Sequence, residues 1–217
     1  VKVDDKIATG DTIKTDWVFK NLRGVKGTKV KITIERKGRK EPIVFDIIRD
    51  KIPITSVDTW FMLDKTLGYI RLDRFAQNSQ SEVLEAIKDL KKQGMKELIF
   101  DLRGNGGGYL DVAFKLSDEF LDDEKLIVYT EGVSSPRYDF KSQSKGEFEK
   151  GKLVILIDET SASASEIVSG AIQDWDRGVI VGRRSFGKGL VQRPFNLPDG
   201  SQIRLTTSRY YTPSGRC

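Results

Sequence analysis

From residue 67 onward, short apolar runs alternate with longer amphipathic stretches, and this limits the fold more than any other feature of the sequence. Residues 67–72, 97–102, 125–129, 153–157 and 178–181 are short and apolar enough to be buried strands. Between them lie three helical patterns. Residues 81–93 carry Val83, Ala86, Ile87 and Leu90 on one stripe, and Gly94 suits the C-terminal cap. Leu110, Ala113, Phe114, Ser117, Phe120 and Leu121 form a second stripe. Residues 163–175 form a third, with Ile167, Val168, Ala171, Ile172 and Trp175 facing inward. Residues 134–150 are polar and weakly patterned, and residues 190–195 and 202–207 close the chain as strands. Strand–helix alternation of this kind predicts an α/β layer with largely parallel pairing.

The first fifty residues follow another rhythm. Val1 to Val3 reads as a strand. Thr15 and Asp16 suit the cap of a short helix over residues 17–22, closed by Gly24. Val30, Ile32 and Ile34 alternate with polar residues as a half-buried strand, and residues 37–40 turn into a returning strand at 43–48. Residues 50–53 read as a boundary. Two domains are expected, 1–52 and 53–217.

Composition removes several chemistries. There is no histidine, and the one cysteine is Cys217. No internal disulfide or CxxC redox pair is possible, and no metal site or cofactor is expected. The net charge is +5, and the densest basic run, 36–40, sits between Glu35 and Glu41. That pattern reads as solvated hairpin surface, so no nucleic-acid partner is expected. No apolar run reaches the 18 or so residues that span a bilayer. The chain starts without an initiator Met and is expected to be a fragment at both ends, so a missing signal peptide says nothing of the parent.

Residues 161–166, SASASE, follow the strand at 153–157 and open the third helix. Ser163 and Glu166 fit a capping box. Ser163 equally fits a nucleophile, because a helix N-terminus offers free N–H groups and the positive end of the dipole. A serine needs a base, and with no histidine the choice falls on carboxylates, tyrosine or lysine. Asp174 lies three helical turns from Ser163, about 16 Å away, out of reach. Lys188 has the least polar surroundings of any lysine here. A lysine takes a proton only after losing its own, and burial against Phe186, Leu190 and Val191 would favour that. A strand running on from Lys188 would place Gln192 on the same face, where its neutral amide could orient the amine. Residues 182–188 also match the Gly-x4-Gly-Lys of a phosphate loop. Gly189 stands where Ser or Thr is required, and a strand follows instead of a helix.

Residues 101–108, DLRGNGGG, join a strand to a helix. Such a turn can present backbone N–H groups to an anion, as an oxyanion hole does, or can be a tight turn and nothing more. The dinucleotide spacing fails, because Tyr109 stands where a third glycine would be needed.

Three segments together resemble the carboxyl-terminal processing peptidases, or tail-specific proteases: DLRGNGGG at 101–108, TSASASEI at 160–167 and RSFGKGLVQ at 184–192. Their order and spacing fit, with twenty-five residues from Ser163 to Lys188 and four more to Gln192. The resemblance implies a Ser–Lys serine endopeptidase that cuts proteins near their C-termini, with Ser163 as nucleophile, Lys188 as base and Gln192 orienting it. It implies oxyanion donors at Ala164 and at Gly107 or Gly108, and supporting roles for Glu166, Asp174 and Ser185. It implies a crotonase-like α/β spiral over residues 53–217, preceded by a partial PDZ domain at 1–52. The family's PDZ domain begins before Val1 and its core continues past Cys217. Polypeptides with unstructured C-termini are the expected substrates, and the bacterial periplasm or cell envelope the expected location. The alternatives are a silent PDZ-containing peptide-binding scaffold and an acyl-CoA-handling enzyme on a related spiral; the Ser/Lys/Gln set argues against both.

Overall fold

The computed structural model of the chain describes residues 2–4, 6–9, 13–51, 55–122 and 124–217. The chain divides into two compact units, Val1–Ile54 and Thr55–Cys217. The expected strand start at Val1 and the boundary between Ile52 and Pro53 lie outside the described residues.

The first unit holds β1 (Lys2–Val3), β2 (Lys6–Ile7), α1 (Thr15–Leu22), β3 (Lys29–Ile34) and β4 (Ile43–Ile48). The strands form an antiparallel sheet in the order β2-β1-β3-β4. Helix α1 starts two residues earlier than its capping pattern suggests, with Lys14 at the N-cap. Arg49 fastens it to the sheet: its guanidinium donates to the carbonyls of Leu22 (2.7 Å), Asn21 (3.1 Å) and Lys29 (2.8 Å).

The second unit runs β5 (Thr59–Met62), β6 (Leu67–Arg71), α2 (Ser79–Lys92), β7 (Glu97–Asp101), α3 (Leu110–Asp118), β8 (Leu126–Gly132), β9 (Ser135–Lys141), β10 (Lys152–Ile157), α4 (Ala164–Asp174), β11 (Val179–Gly182), β12 (Leu190–Asn196) and β13 (Gln202–Tyr211). One sheet has the order β11-β10-β7-β6-β5. Its pairs are parallel except β5 on β6. A second sheet, β12-β13-β8-β9, is antiparallel throughout. The expected parallel pairing therefore holds for one sheet only, and the α/β unit is mixed.

The core lies on the parallel sheet. Ile70, Leu98, Phe100 and Ile155 are fully buried against Val83, Ile87 and Leu90 of α2, Ala113 and Leu116 of α3, and Val168, Ala171 and Ile172 of α4. Burying each of the large side chains contributes about 1.5–3 kcal/mol. Trp175 departs from its expected inward position. It stands at the C-cap of α4, partly exposed, and its indole N–H donates to the Leu126 carbonyl at 2.7 Å.

Candidate active site

Parallel strands end together, and the loops that leave their carboxyl ends gather at one edge. Asp101 at the end of β7 pairs with Leu156 near the end of β10. The turns after them, 102–109 and 158–163, therefore emerge side by side. Asp158 joins them. Its carboxylate accepts the N–H groups of Gly104 (3.1 Å) and Thr160 (2.9 Å) and the Thr160 hydroxyl (2.6 Å). Burial pushes its carboxyl up, but these hydrogen bonds and one from the Ser161 N–H outweigh it and pull it down to about 2.

The three serines of 161–165 have different surroundings. Ser161 is buried and its hydroxyl donates to the Leu102 carbonyl at 2.8 Å. Ser165 is buried and donates to the Asn105 carbonyl at 2.8 Å. Both are spent in holding the two turns together. The Ser163 hydroxyl makes no capping hydrogen bond. Its backbone has φ 55° and ψ −111°, a left-handed conformation that costs a non-glycine residue about 1–3 kcal/mol. The expected capping box is in place, with the Ser163 side chain set toward the Glu166 N–H and the Ser163 N–H donating to Glu166 Oε2 at 2.7 Å.

The glycine turn lies directly against this serine. At Gly107, φ 98°, an added Cβ would fall 2.7 Å from the Ala162 carbonyl oxygen, 2.9 Å from Ser163 Cβ and 3.0 Å from the Ala164 nitrogen. Its own N–H donates to Asn105 Oδ1 at 2.9 Å. Phe75 holds the next residues: its N–H donates to the Gly107 carbonyl (3.1 Å), and its carbonyl accepts the Tyr109 N–H (2.9 Å). Among the described residues, the N–H groups of Gly108 and Ala164 have no hydrogen-bond partner. Ala164 is the first residue of α4, at the positive end of its dipole.

Lys188 sits in the loop between β11 and β12, and Glu166 anchors that loop. Glu166 Oε1 accepts the Ser185 hydroxyl (2.8 Å) and the Gly187 N–H (2.7 Å), and Oε2 accepts the Lys188 N–H (2.9 Å) as well as that of Ser163. The expected burial of Lys188 is not found. Lys188 is exposed, Phe186 is 67% exposed and Leu190 40%. The physical reason is that the backbone N–H groups of 187 and 188 turn inward to Glu166, which leaves the side chains of Phe186 and Lys188 on the solvent side. Among the described residues the Lys188 amine has no hydrogen bond or ion pair. The strand argument for Gln192 also needs correction. Strand β12 begins only at Leu190, and a register shift between Val191 and Gln192 breaks the alternation.

These residues nonetheless meet in one place. Gly108, Ser163, Ala164, Lys188 and Gln192 line a single cleft of about 330 Å³, which Tyr210 and Arg204 also border. Gly107 abuts Ser163, and Glu166 and Ser185 line a neighbouring cavity that Lys188 shares. Asp174 does not join them. At the far end of α4 it accepts the Ser214 N–H at 2.9 Å and pairs with Arg216, fixing the last residues of the chain. Among the described residues no group of three His, Cys, Asp or Glu side chains could hold a metal ion.

Two residues at the site escaped the sequence reading. Asn105 is fully buried and serves both turns. Its amide donates to the Leu72 carbonyl (2.8 Å), and its own carbonyl accepts the N–H of Ala162 (3.1 Å) and the Ser165 hydroxyl. An asparagine set between glycines was the available signal. Tyr210 lies beyond residue 207, where the last strand was expected to stop.

Residues 66–217 match the profile of peptidase family S41. The chain belongs to this family. All candidate site residues fall within the S41 match. The chain is 36% identical over 218 residues to a carboxy-terminal-processing protease of Bartonella bacilliformis, covering 99% of this chain and 49% of that protein. It is 35% identical over 215 residues to a probable CtpA-like serine protease of Staphylococcus haemolyticus, covering 99% and 42%. It thus spans half or less of the length of these S41 relatives. Among solved structures, it resembles a photosystem II D1 C-terminal processing protease with TM-score 0.68 and 29% identity, over 100% of this chain and 58% of that one.

Proposed function

We propose that this S41 chain is the catalytic part of a carboxyl-terminal-processing serine endopeptidase that works by a Ser–Lys mechanism. The observation that carries this reading is Ser163. It alone of the three neighbouring serines is not spent on the fold, and it sits on strained backbone in a cleft that holds a lysine and two unpartnered N–H groups. Strain of this kind persists where the surroundings enforce it, often at catalytic residues.

In the proposed reaction Ser163 Oγ attacks the scissile carbonyl carbon, and its proton passes to the neutral Lys188 amine. The Ala164 and Gly108 N–H groups hold the oxyanion, while Gly107 shapes the wall beside it. Collapse expels the peptide amine, which takes the proton back from Lys188, and water then releases the acyl group by the same route. A peptide lying over the exposed Lys188 would exclude water from its amine, and desolvation favours the neutral form. Gln192 borders the same cleft and would orient the amine without adding charge. Glu166 and Ser185 hold the lysine loop. Asp174 supports the site only from a distance.

Residues 1–52 are read as part of a PDZ domain, with α1 beside the sheet as its groove helix, and 53–217 as a crotonase-like protease core. Substrates would be polypeptides with unstructured C-termini, met in the bacterial periplasm or cell envelope. The test is cleavage of an unfolded protein by the intact protein and three variants. Ser163→Ala abolishes cleavage, whereas Ser161→Ala and Ser165→Ala keep part of it. Equal cleavage by Ser163→Ala and the parent would refute the nucleophile. Amidating a substrate's C-terminus weakens cleavage if the tail is read; equal rates on both forms would remove the tail-specific part.

A further inference from the structure

The Tyr210 side chain is 5% exposed, yet among the described residues its buried hydroxyl has no hydrogen-bond partner. A buried hydroxyl left unpaired is costly and uncommon in a native fold. It is also placed where the chemistry is. Tyr210 borders the cleft that holds Ser163, and it borders a second cavity that residues 187–189 of the Lys188 loop also line. Its backbone N–H donates to the Gly189 carbonyl at 3.0 Å, so the same residue secures the chain next to Lys188. The Ser163 side chain lies beside the phenol.

We propose that Tyr210 is a positioning residue for Ser163. As a substrate closes the cleft, its hydroxyl donates a hydrogen bond to Ser163 Oγ. That bond occupies one lone pair of the oxygen and turns the serine's own proton toward Lys188. The direction of donation follows from charge. Burial, and next the nearby Glu166 carboxylate, push the phenol's ionisation up, so it keeps its proton and acts as the donor. Two other features fit. The residue is fixed from both sides, by its pairing with Thr130 of β8 and by Gly189, so its ring cannot drift from the serine. And the hydroxyl has an acceptor at hand, Ser163 Oγ, which borders the same cleft and which substrate binding would bring into line with it.

The inference rests on Ser163 being the nucleophile, and its test separates the two. Tyr210→Phe keeps the ring and its packing and removes one oxygen. It is compared with the parent and with Ser163→Ala, all in the intact protein. The readouts are kcat and KM on an unfolded protein, thermal stability, and the rate at which a fluorophosphonate probe labels Ser163. The expected result is a kcat lower by about tenfold or more with KM little changed. Labelling slows in parallel, and thermal stability is kept or raised because a buried unpaired oxygen is gone. A Tyr210→Phe variant that cleaves and labels at the parent rate, while Ser163→Ala is dead, overturns the Tyr210 role alone. Lost kcat with unchanged labelling puts the hydroxyl's effect on the substrate and also overturns it. Full activity of Ser163→Ala overturns the nucleophile, and the Tyr210 proposal with it.

Discussion

Glu166 holds Lys188 by its backbone N–H, at 2.9 Å, and not by its ammonium group. A carboxylate beside a lysine amine favours the charged form and would spoil it as a base. Here the carboxylate is filled by other donors, the Ser163 N–H, the Ser185 hydroxyl and the Gly187 N–H. It therefore ties the serine's backbone to the lysine's loop without forming an ion pair across the site.

Glu166→Gln tests this. The amide keeps the size but replaces one acceptor oxygen by an NH2 group, so about half of the bonds to the loop are lost. Turnover falls by about 10²-fold, because a displacement of about 1 Å is enough for that. Labelling of Ser163 survives in part. Parent-like kcat would show that the loop is held by other means.

Lys188→Arg is as damaging as Lys188→Ala, each lowering kcat by about 10²–10⁴-fold. Arginine keeps the charge but does not release its proton at any workable pH. Lys188 is exposed, so neither change should disturb folding. Most of the activity surviving in Lys188→Arg would make the residue a binding charge and not a base.

Gly107→Ala lowers kcat by about 10²-fold, in the range of losing an oxyanion donor. Its methyl would sit 3.0 Å from the Ala164 nitrogen, in the space where an oxyanion would bind, and 2.7 Å from the Ala162 carbonyl. The left-handed φ adds about 1–2 kcal/mol of instability, visible as a lower Tm. An active, fully stable Gly107→Ala would contradict the tight approach of the two turns.

The pH dependence of stability follows from Asp158. Its folded-state carboxyl is pulled down to about 2, below the unfolded value of about 3.9. The stabilisation is therefore complete above about pH 4 and is lost as pH falls toward 2. Tm of Asp158→Asn should lie below that of the parent at neutral pH, and the gap should close on acidification. A gap independent of pH would mean that the ionised carboxylate is not what joins the turns.

The central strands and α4 were legible because buried elements need apolar residues at a fixed period, as Leu98, Phe100, Ile155, Val168 and Ile172 show. Three sheet-edge strands were not. Lys6–Ile7, Thr59–Met62 and Ser135–Lys141 each pair on one side only and stay largely exposed, so no buried stripe marks them. That the candidate residues gather was legible in residue type and spacing: Ser163, Ala164, Gly108, Lys188 and Gln192 meet in one cleft. Its electrostatics were not. The apolar neighbours of Lys188 in sequence suggested burial, but which way a glycine-flanked loop turns depends on Glu166, twenty-two residues away. Asn105 and Tyr210 were silent for the same reason: their partners come from distant parts of the chain.

The backbone at Ser163 lets the fold report on itself. Glycine adopts its φ of 55° without penalty, and among the described residues the serine hydroxyl makes no capping hydrogen bond that glycine would forfeit. Relief of about 1–3 kcal/mol outweighs the extra freedom that glycine brings to the unfolded chain, about 0.5–1 kcal/mol. Ser163→Gly should thus be the more stable of two dead proteins when set against Ser163→Ala, which keeps the tension. The difference in their melting temperatures would measure how much stability this chain gives up to hold one serine ready.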